Sequence, residues 1–188
     1  MPDAVGHVDL TVNGTSVKFS GAGYHDSESH FMSRITILHA RPANQRIENW
    51  GTQPFTSVVG SWYWGHGRLG PYSIVWVDAL SPDGTESVSA YVSLDDRIVV
   101  AACSGIRVRP LGGVNYPPKA GDPPPVGFSI EIDLGAANGG LLVVNATSEV
   151  ILQSNPSYYR AAGTLSGGFA GQKQLSGNAL YEQFHLLE

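Results

Sequence analysis

The sequence predicts an all-β protein, an antiparallel β-barrel of about nine strands with no convincing helix. Three observations predict it. Gly (23) and Pro (12) are abundant in 188 residues while charged residues make up 14%, a composition rich in turns. Apolar residues recur at every second position through several segments, the period of a strand with one buried face. Short turn-forming stretches separate these segments at intervals that suit hairpins.

The first hairpin reads directly. Val8, Leu10 and Val12 alternate with His7, Asp9 and Thr11, Asn13-Gly14 supplies two positive φ angles, and Val17 and Phe19 alternate on the return. Strands are expected at 57–64, 72–79 and 86–94, the last two separated by Ser81-Pro82-Asp83-Gly84. Asp95-Asp96 turns the chain into a strand at 98–103. Residues 116–126 hold five prolines, which rules out a central strand and predicts an extended surface loop. Phe128, Ile130, Ile132 and Leu134 then alternate, and strands at 141–152, 158–165 and 174–186 complete the set.

Composition narrows the function. A net charge of −5 gives no reason to expect nucleic acid or an anionic membrane surface. No apolar run approaches a membrane span, and Met1-Pro2-Asp3-Ala4 opens without the features of a signal peptide, so a cytoplasmic location is expected. The single cysteine, Cys103, has no intramolecular disulfide partner and ends an apolar run, which predicts a buried, inert thiol.

Gly65-His66-Gly67-Arg68-Leu69-Gly70 matches a dinucleotide-binding pattern in spacing only. That motif works through the N-terminus of a following helix, and here Pro71 and a strand-like run follow, so a tight turn explains the glycines better. The histidines at 7, 25, 30, 39, 66 and 185 show no standard ligand spacing, and no metal site is expected. No Gly-x-Ser-x-Gly elbow is present.

Trp50, Trp62, Tyr63, Trp64 and Trp76 concentrate aromatic surface in a short span. Alternation puts Trp62 and Trp64 on one face of their strand and Tyr63 on the other. They read either as barrel core or as the wall of an apolar ligand cavity. Tyr24, His25, Asp26 and Asn49 set polar groups beside them, either as a binding site or as a buried network fixing the first turn. Arg68 is a partner for Asp26 or a surface charge, and Lys173 and Gln183 are weaker candidates to reach a carbonyl.

Residues 21–26, Gly-Ala-Gly-Tyr-His-Asp, and 49–51, Asn-Trp-Gly, are split by a stretch without glycine, 27–48. Joined, they resemble the Gly-Tyr-His-Asp-Lys-Asn-Trp-Gly signature of the fungal Diels-Alderases, lipocalin-like pericyclases of polyketide–nonribosomal peptide pathways. Residues 61–73, Ser-Trp-Tyr-Trp-Gly-His-Gly-Arg-Leu-Gly-Pro-Tyr-Ser, and 178–184, Asn-Ala-Leu-Tyr-Glu-Gln-Phe, resemble two further motifs of that family. Back-translation of 27–48 accommodates GTGAGT at its start, CTAAC inside it and TAG at its end; excision keeps the frame and restores the missing lysine codon. The segment therefore reads as a retained intron, with a genuine loop insertion as the alternative.

The resemblance covers only the C-terminal half of that family, so it implies a lipocalin-like barrel whose N-terminal family domain is absent, as in a truncated product or one half of a split protein. It implies intramolecular [4+2] cycloaddition of a polyene tetramate or pyrrolinone, chemistry needing no metal or redox cofactor. The expected partner is an apolar polyketide-derived small molecule, with an N-terminal half or a second copy as protein partner. Tyr24, Asn49 and Trp50 are the expected catalytic residues. His25, Asp26, Trp62, Trp64 and Arg68 are expected to bind substrate. A non-catalytic binding module and an inactive fragment are the alternatives.

Overall fold

The computed structural model describes residues 4–24 and 54–187. The segment 27–48, read above as an interruption, lies outside them. Strands β1 (Ala4–Val12) and β2 (Thr15–Gly23) pair around Asn13 and Gly14, whose φ angles of 48° and 80° are those the Asn-Gly turn requires. This hairpin forms a sheet of its own, and Val5, Leu10, Val12 and Phe19 remain exposed. It does not join the barrel sheet, as the strand count from sequence had assumed.

A four-residue helix, α1 (Phe55–Val58), precedes the barrel. It occupies the start of the expected strand at 57–64; Pro54 leads into the helix, and the extended run begins only at Ser61. Nine antiparallel strands follow: β3 (Ser61–Leu69), β4 (Tyr72–Leu80), β5 (Glu86–Leu94), β6 (Arg97–Ala102), β7 (Ile106–Leu111), β8 (Gly127–Asp133), β9 (Leu141–Asn155), β10 (Tyr158–Phe169) and β11 (Leu175–His185). Their order across the sheet is β6-β5-β4-β3-β11-β10-β9-β8-β7. Consecutive strands β6 and β7 thus lie at opposite edges, yet only Cys103, Ser104 and Gly105 join them. So short a link forces the sheet to curl on itself, giving the lipocalin-like barrel architecture expected.

Edge strand β7 meets β4 and β5 without a backbone ladder. Asp78 of β4 bridges the seam, its Oδ2 accepting the Val108 N–H and an Arg109 Nη1–H at 3.0 Å each. Arg109 also pairs with Glu86 of β5 at 2.9 Å. Tyr116 covers this seam, with its ring 3.9 Å from the Arg109 guanidinium and its hydroxyl donating to Glu86 at 2.8 Å. The proline-rich segment thus holds no strand and runs over the surface, as expected, and it also caps the seam. Pro118 and Pro125 are buried, and the Ala120 N–H bonds to the Leu187 carbonyl.

The inside of the barrel is filled. Tyr63, Trp76, Phe128, Ile130, Tyr159 and Tyr181 are all at most 1% exposed. Gly65 and Gly67 make room for them, and this is their role in place of the expected turn. A Cβ on Gly65 would lie 2.7 Å from Trp76 Cε2, and one on Gly67 would lie 2.7 Å from Leu165 Cδ1. Cys103 stands exposed in the β6–β7 link, because the apolar run before it is an edge strand that ends one residue earlier.

Candidate functional site

Alternation along β3 sends Tyr63 inward and Trp62, Trp64 and His66 outward. The two tryptophans are 6% and 8% exposed, but they belong to a second apolar cluster on the outer face of the barrel. Tyr24, Phe55, Val77 and Phe184 pack against them there. The tryptophans expected around an internal cavity therefore lie outside the barrel wall, in a covered apolar layer, because the barrel's own core already fills the interior.

Tyr24 follows directly after β2 and reaches this surface. Its ring stacks on His66 with centroids 4.2 Å apart and planes 14° from parallel. Trp64 closes the group edge-on, 5.5 Å from both Tyr24 and His66. Phe55 of α1 covers the other end, 6.1 Å from Trp62 and 5.1 Å from Phe184. Five large rings and an imidazole thus share the outer face of β3 and β11 and its cover.

Register extends the face across β11 and β10. Trp64 is the Cα partner of Glu182, and Glu182 is that of Arg160. Glu182 Oε2 accepts the Tyr158 hydroxyl at 2.6 Å and pairs with Arg160 at 2.8 Å. Burial, reinforced by the carboxylate that accepts its proton, raises the Tyr158 pKa and keeps the phenol protonated. A polar edge therefore borders the aromatic surface.

The structure brings Tyr24, Trp62 and Trp64 together in the outer apolar cluster. Arg68 lies two residues beyond His66, half-buried, on a groove of about 440 Å³ lined also by Val5, Ser20, Gly21 and Gly70. His25, Asp26, Asn49 and Trp50 lie outside the described residues, and with them the suggested Asp26–Arg68 partnership. Lys173 is exposed in the turn before β11. Gln183 points inward, its amide donating to His185 Nδ1 at 3.1 Å, so it does not face the outer site.

In the sequence His66 and Glu182 stand inside the 61–73 and 178–184 motifs without a site role, and Tyr158 and Arg160 carry no signal of one. The alternation of the 178–184 motif places Glu182 opposite the buried Tyr181, but its meeting with Tyr158 depends on strand register. Among the described residues no group of three or more His, Cys, Asp or Glu could hold a metal ion, and no helix is long and apolar enough to cross a membrane. What the face can do chemically is bind a flat apolar molecule, exchange a proton through Tyr24 or His66, and hold a polar edge at Glu182 and Arg160.

No protein-family model matches the chain. It is 38% identical over 186 residues to the quinolone epoxide rearrangement protein asqO of Emericella nidulans. It is 37% identical over 186 residues to the quinolone epoxide rearrangement protein penF of Penicillium thymicola. Each match takes in 97% of this chain and 45% of the relative, so the chain spans about half the length of the curated relatives it matches. Among solved structures it resembles CghA, alone and with Sch210972, at a TM-score of 0.58 and 16% identity. Those likenesses cover 71% of this chain and 42% of CghA, and they show a shared fold.

Proposed function

We propose that this chain is the barrel half of a small-molecule isomerase of secondary metabolism that rearranges an epoxide carried on a quinolone. The observation that carries the reading is the outward-facing group of Trp64 and the stacked Tyr24–His66 pair. The 38% identity to a protein named for that rearrangement supports it.

The chemistry suits the residues. A quinolone is flat and aromatic, and the half-buried Tyr24–His66 stack, backed by Trp64, offers rings against which it can lie. Opening the epoxide without an external nucleophile requires a proton at the strained oxygen, which Tyr24 or His66 can deliver. Positive charge then develops on the ring carbon, where the electron-rich face of an indole stabilises it. A bond migrates or closes, a proton leaves, and the product keeps the composition of the substrate. The relatives are more than twice as long as the matched region, and this reading assigns the remainder to a second wall over the outer face.

A second reading is the intramolecular [4+2] cycloaddition implied by the split Gly-Tyr-His-Asp signature. The lipocalin-like barrel that this signature implies is the architecture observed, which supports it. The same aromatic face would then hold a folded polyene, with diene and dienophile fixed in one geometry and no proton transferred.

The test is incubation of the full-length encoded protein with a quinolone epoxide and, separately, with a linear polyene tetramate, with products assigned by chromatography and NMR. Isomerisation of the epoxide supports the first reading. Conversion of the polyene alone replaces it with the second, and binding of either compound without product leaves a carrier.

A further inference from the structure

The row Trp64–Glu182–Arg160 holds chemistry that epoxide opening does not use. Glu182 is mostly withdrawn from solvent, its side chain 12% exposed, while Arg160 stays 40% exposed. Both contacts of the carboxylate, from Tyr158 and from Arg160, fall on Oε2. Among the described residues none falls on Oε1. Arg160 spends Nη2 on that contact and its Nε–H is buried, which leaves Nη1 of this 40% exposed side chain with no contact among the described residues. One acceptor and one donor thus stay uncommitted on neighbouring strands beside an indole.

We infer that Glu182 and Arg160 together read the lactam edge of the substrate, the ring N–H donating to Glu182 and the adjacent carbonyl accepting from Arg160. The inference rests on the quinolone reading above and deepens it by naming the part of the ring that is recognised. Other ligand chemistries fit the pair less well. A carboxylate would face Glu182, an ammonium would face Arg160, and a hydrocarbon would leave both polar groups desolvated and unpaired. A lactam sets a neutral donor beside a neutral acceptor and opposes neither charge. His66 lies two residues along β3 from Trp64, about 7 Å, so a ring held by this edge could carry its reactive carbon toward the Tyr24–His66 pair.

Two measurements on the full-length protein test this. The first is binding of 2-quinolone and of N-methyl-2-quinolone, followed by quenching of tryptophan fluorescence. The unsubstituted ring should bind about tenfold or more tightly than its N-methyl counterpart, the range expected for one lost hydrogen bond to a charged group. Glu182→Gln, which exchanges a charged acceptor for a neutral one, should shrink that difference several-fold. Equal affinity of the two rings for the unaltered protein overturns the inference, and this comparison needs no variant to fold. Failure of both rings to bind overturns it as well.

The second is turnover of N–H and N-methyl quinolone epoxides. A higher KM for the N-methyl compound, with kcat changed less, is the expected result. Turnover of both at one KM overturns the lactam inference and keeps the isomerase. Selective binding of the N–H ring without turnover of either epoxide keeps the inference and overturns the isomerase.

Discussion

Asp78 accepts the backbone N–H of Val108 at 3.0 Å across a seam where β4 and β7 share no ladder. A side chain thus satisfies a buried edge-strand donor that a neighbouring strand would satisfy elsewhere in the sheet. The position is costly for a charge. Burial pushes the Asp78 carboxyl up to about 6, outweighing the Val108 N–H and Arg109, while Glu86 adds to the rise. Folded protein therefore keeps this proton at a pH where an unfolded aspartate, with a pKa of about 4, has released it. The stabilisation is complete below that value and is lost as pH rises through about 6.

Glu86 runs the other way. Its own burial is outweighed by the Tyr116 hydroxyl and Arg109, and its pKa lies below the ordinary value. The expected outcome is therefore a difference between two chains. Urea unfolding between about pH 4 and 7 should show a component, falling with pH, that Asp78→Asn removes. Tyr63, Tyr116, Glu86 and Arg109 face the group and remain in both chains. Superimposable pH profiles would refute the assignment.

Gly65 stands where the indole of Trp76 needs space. A methyl group there would approach Trp76 Cε2 and Tyr181 Cβ to 2.7 Å each, well inside contact. Gly65→Ala should destabilise the barrel by about 1–3 kcal/mol and alter the near-UV signal of the buried tryptophan. Gly21, with nothing within 4 Å of an added Cβ, is the control, and Gly21→Ala should change stability by less than about 0.5 kcal/mol.

Much of this architecture is legible in local pattern. Phe128, Ile130, Ile132 and Leu134 alternate in sequence, and all are at most 3% exposed. Asn13-Gly14 announces its turn, and Trp62 and Tyr63 were separable onto opposite faces. Which face lies inside was not legible, because both are aromatic; the inward glycines, Gly65 against Trp76 and Gly67 against Leu165, decide it. Strand β7 escaped notice although Ile106 and Val108 alternate with Arg107 and Arg109, because the run is short and ends in Pro110, which only an edge position accommodates readily. The polar edge of the site was hidden for a different reason. Tyr158 and Glu182 meet through pairing between β10 and β11, and register is a property of the assembled sheet.

The stacked Tyr24–His66 pair separates ring packing from proton transfer. His66→Phe and Tyr24→Phe each keep an aromatic ring in place. If His66 carries the proton, His66→Phe should lower kcat for the epoxide about 100-fold or more, with KM changed only a few-fold, while Tyr24→Phe stays near the unaltered rate. If Tyr24 carries it, the two results exchange. Unchanged kcat in both variants would remove general acid catalysis by this pair from the proposal.

Ser148 ties two strands together from a third. Its hydroxyl lies 2.6 Å from the Tyr159 hydroxyl and 2.8 Å from that of Tyr181, both tyrosines being almost wholly buried. Burial pushes the Tyr181 phenol up to about 12, so it stays protonated and keeps its need for a partner. Ser148→Ala takes that partner from both phenols at once, at a cost of about 1–3 kcal/mol for each group left unsatisfied. Adding Tyr159→Phe removes one of the orphaned hydroxyls while keeping the ring. The double variant should therefore lose less than the sum of the single changes, a coupling of at least about 0.5 kcal/mol in a double-mutant cycle. Strict additivity in urea unfolding would show that these three hydroxyls do not act as a unit.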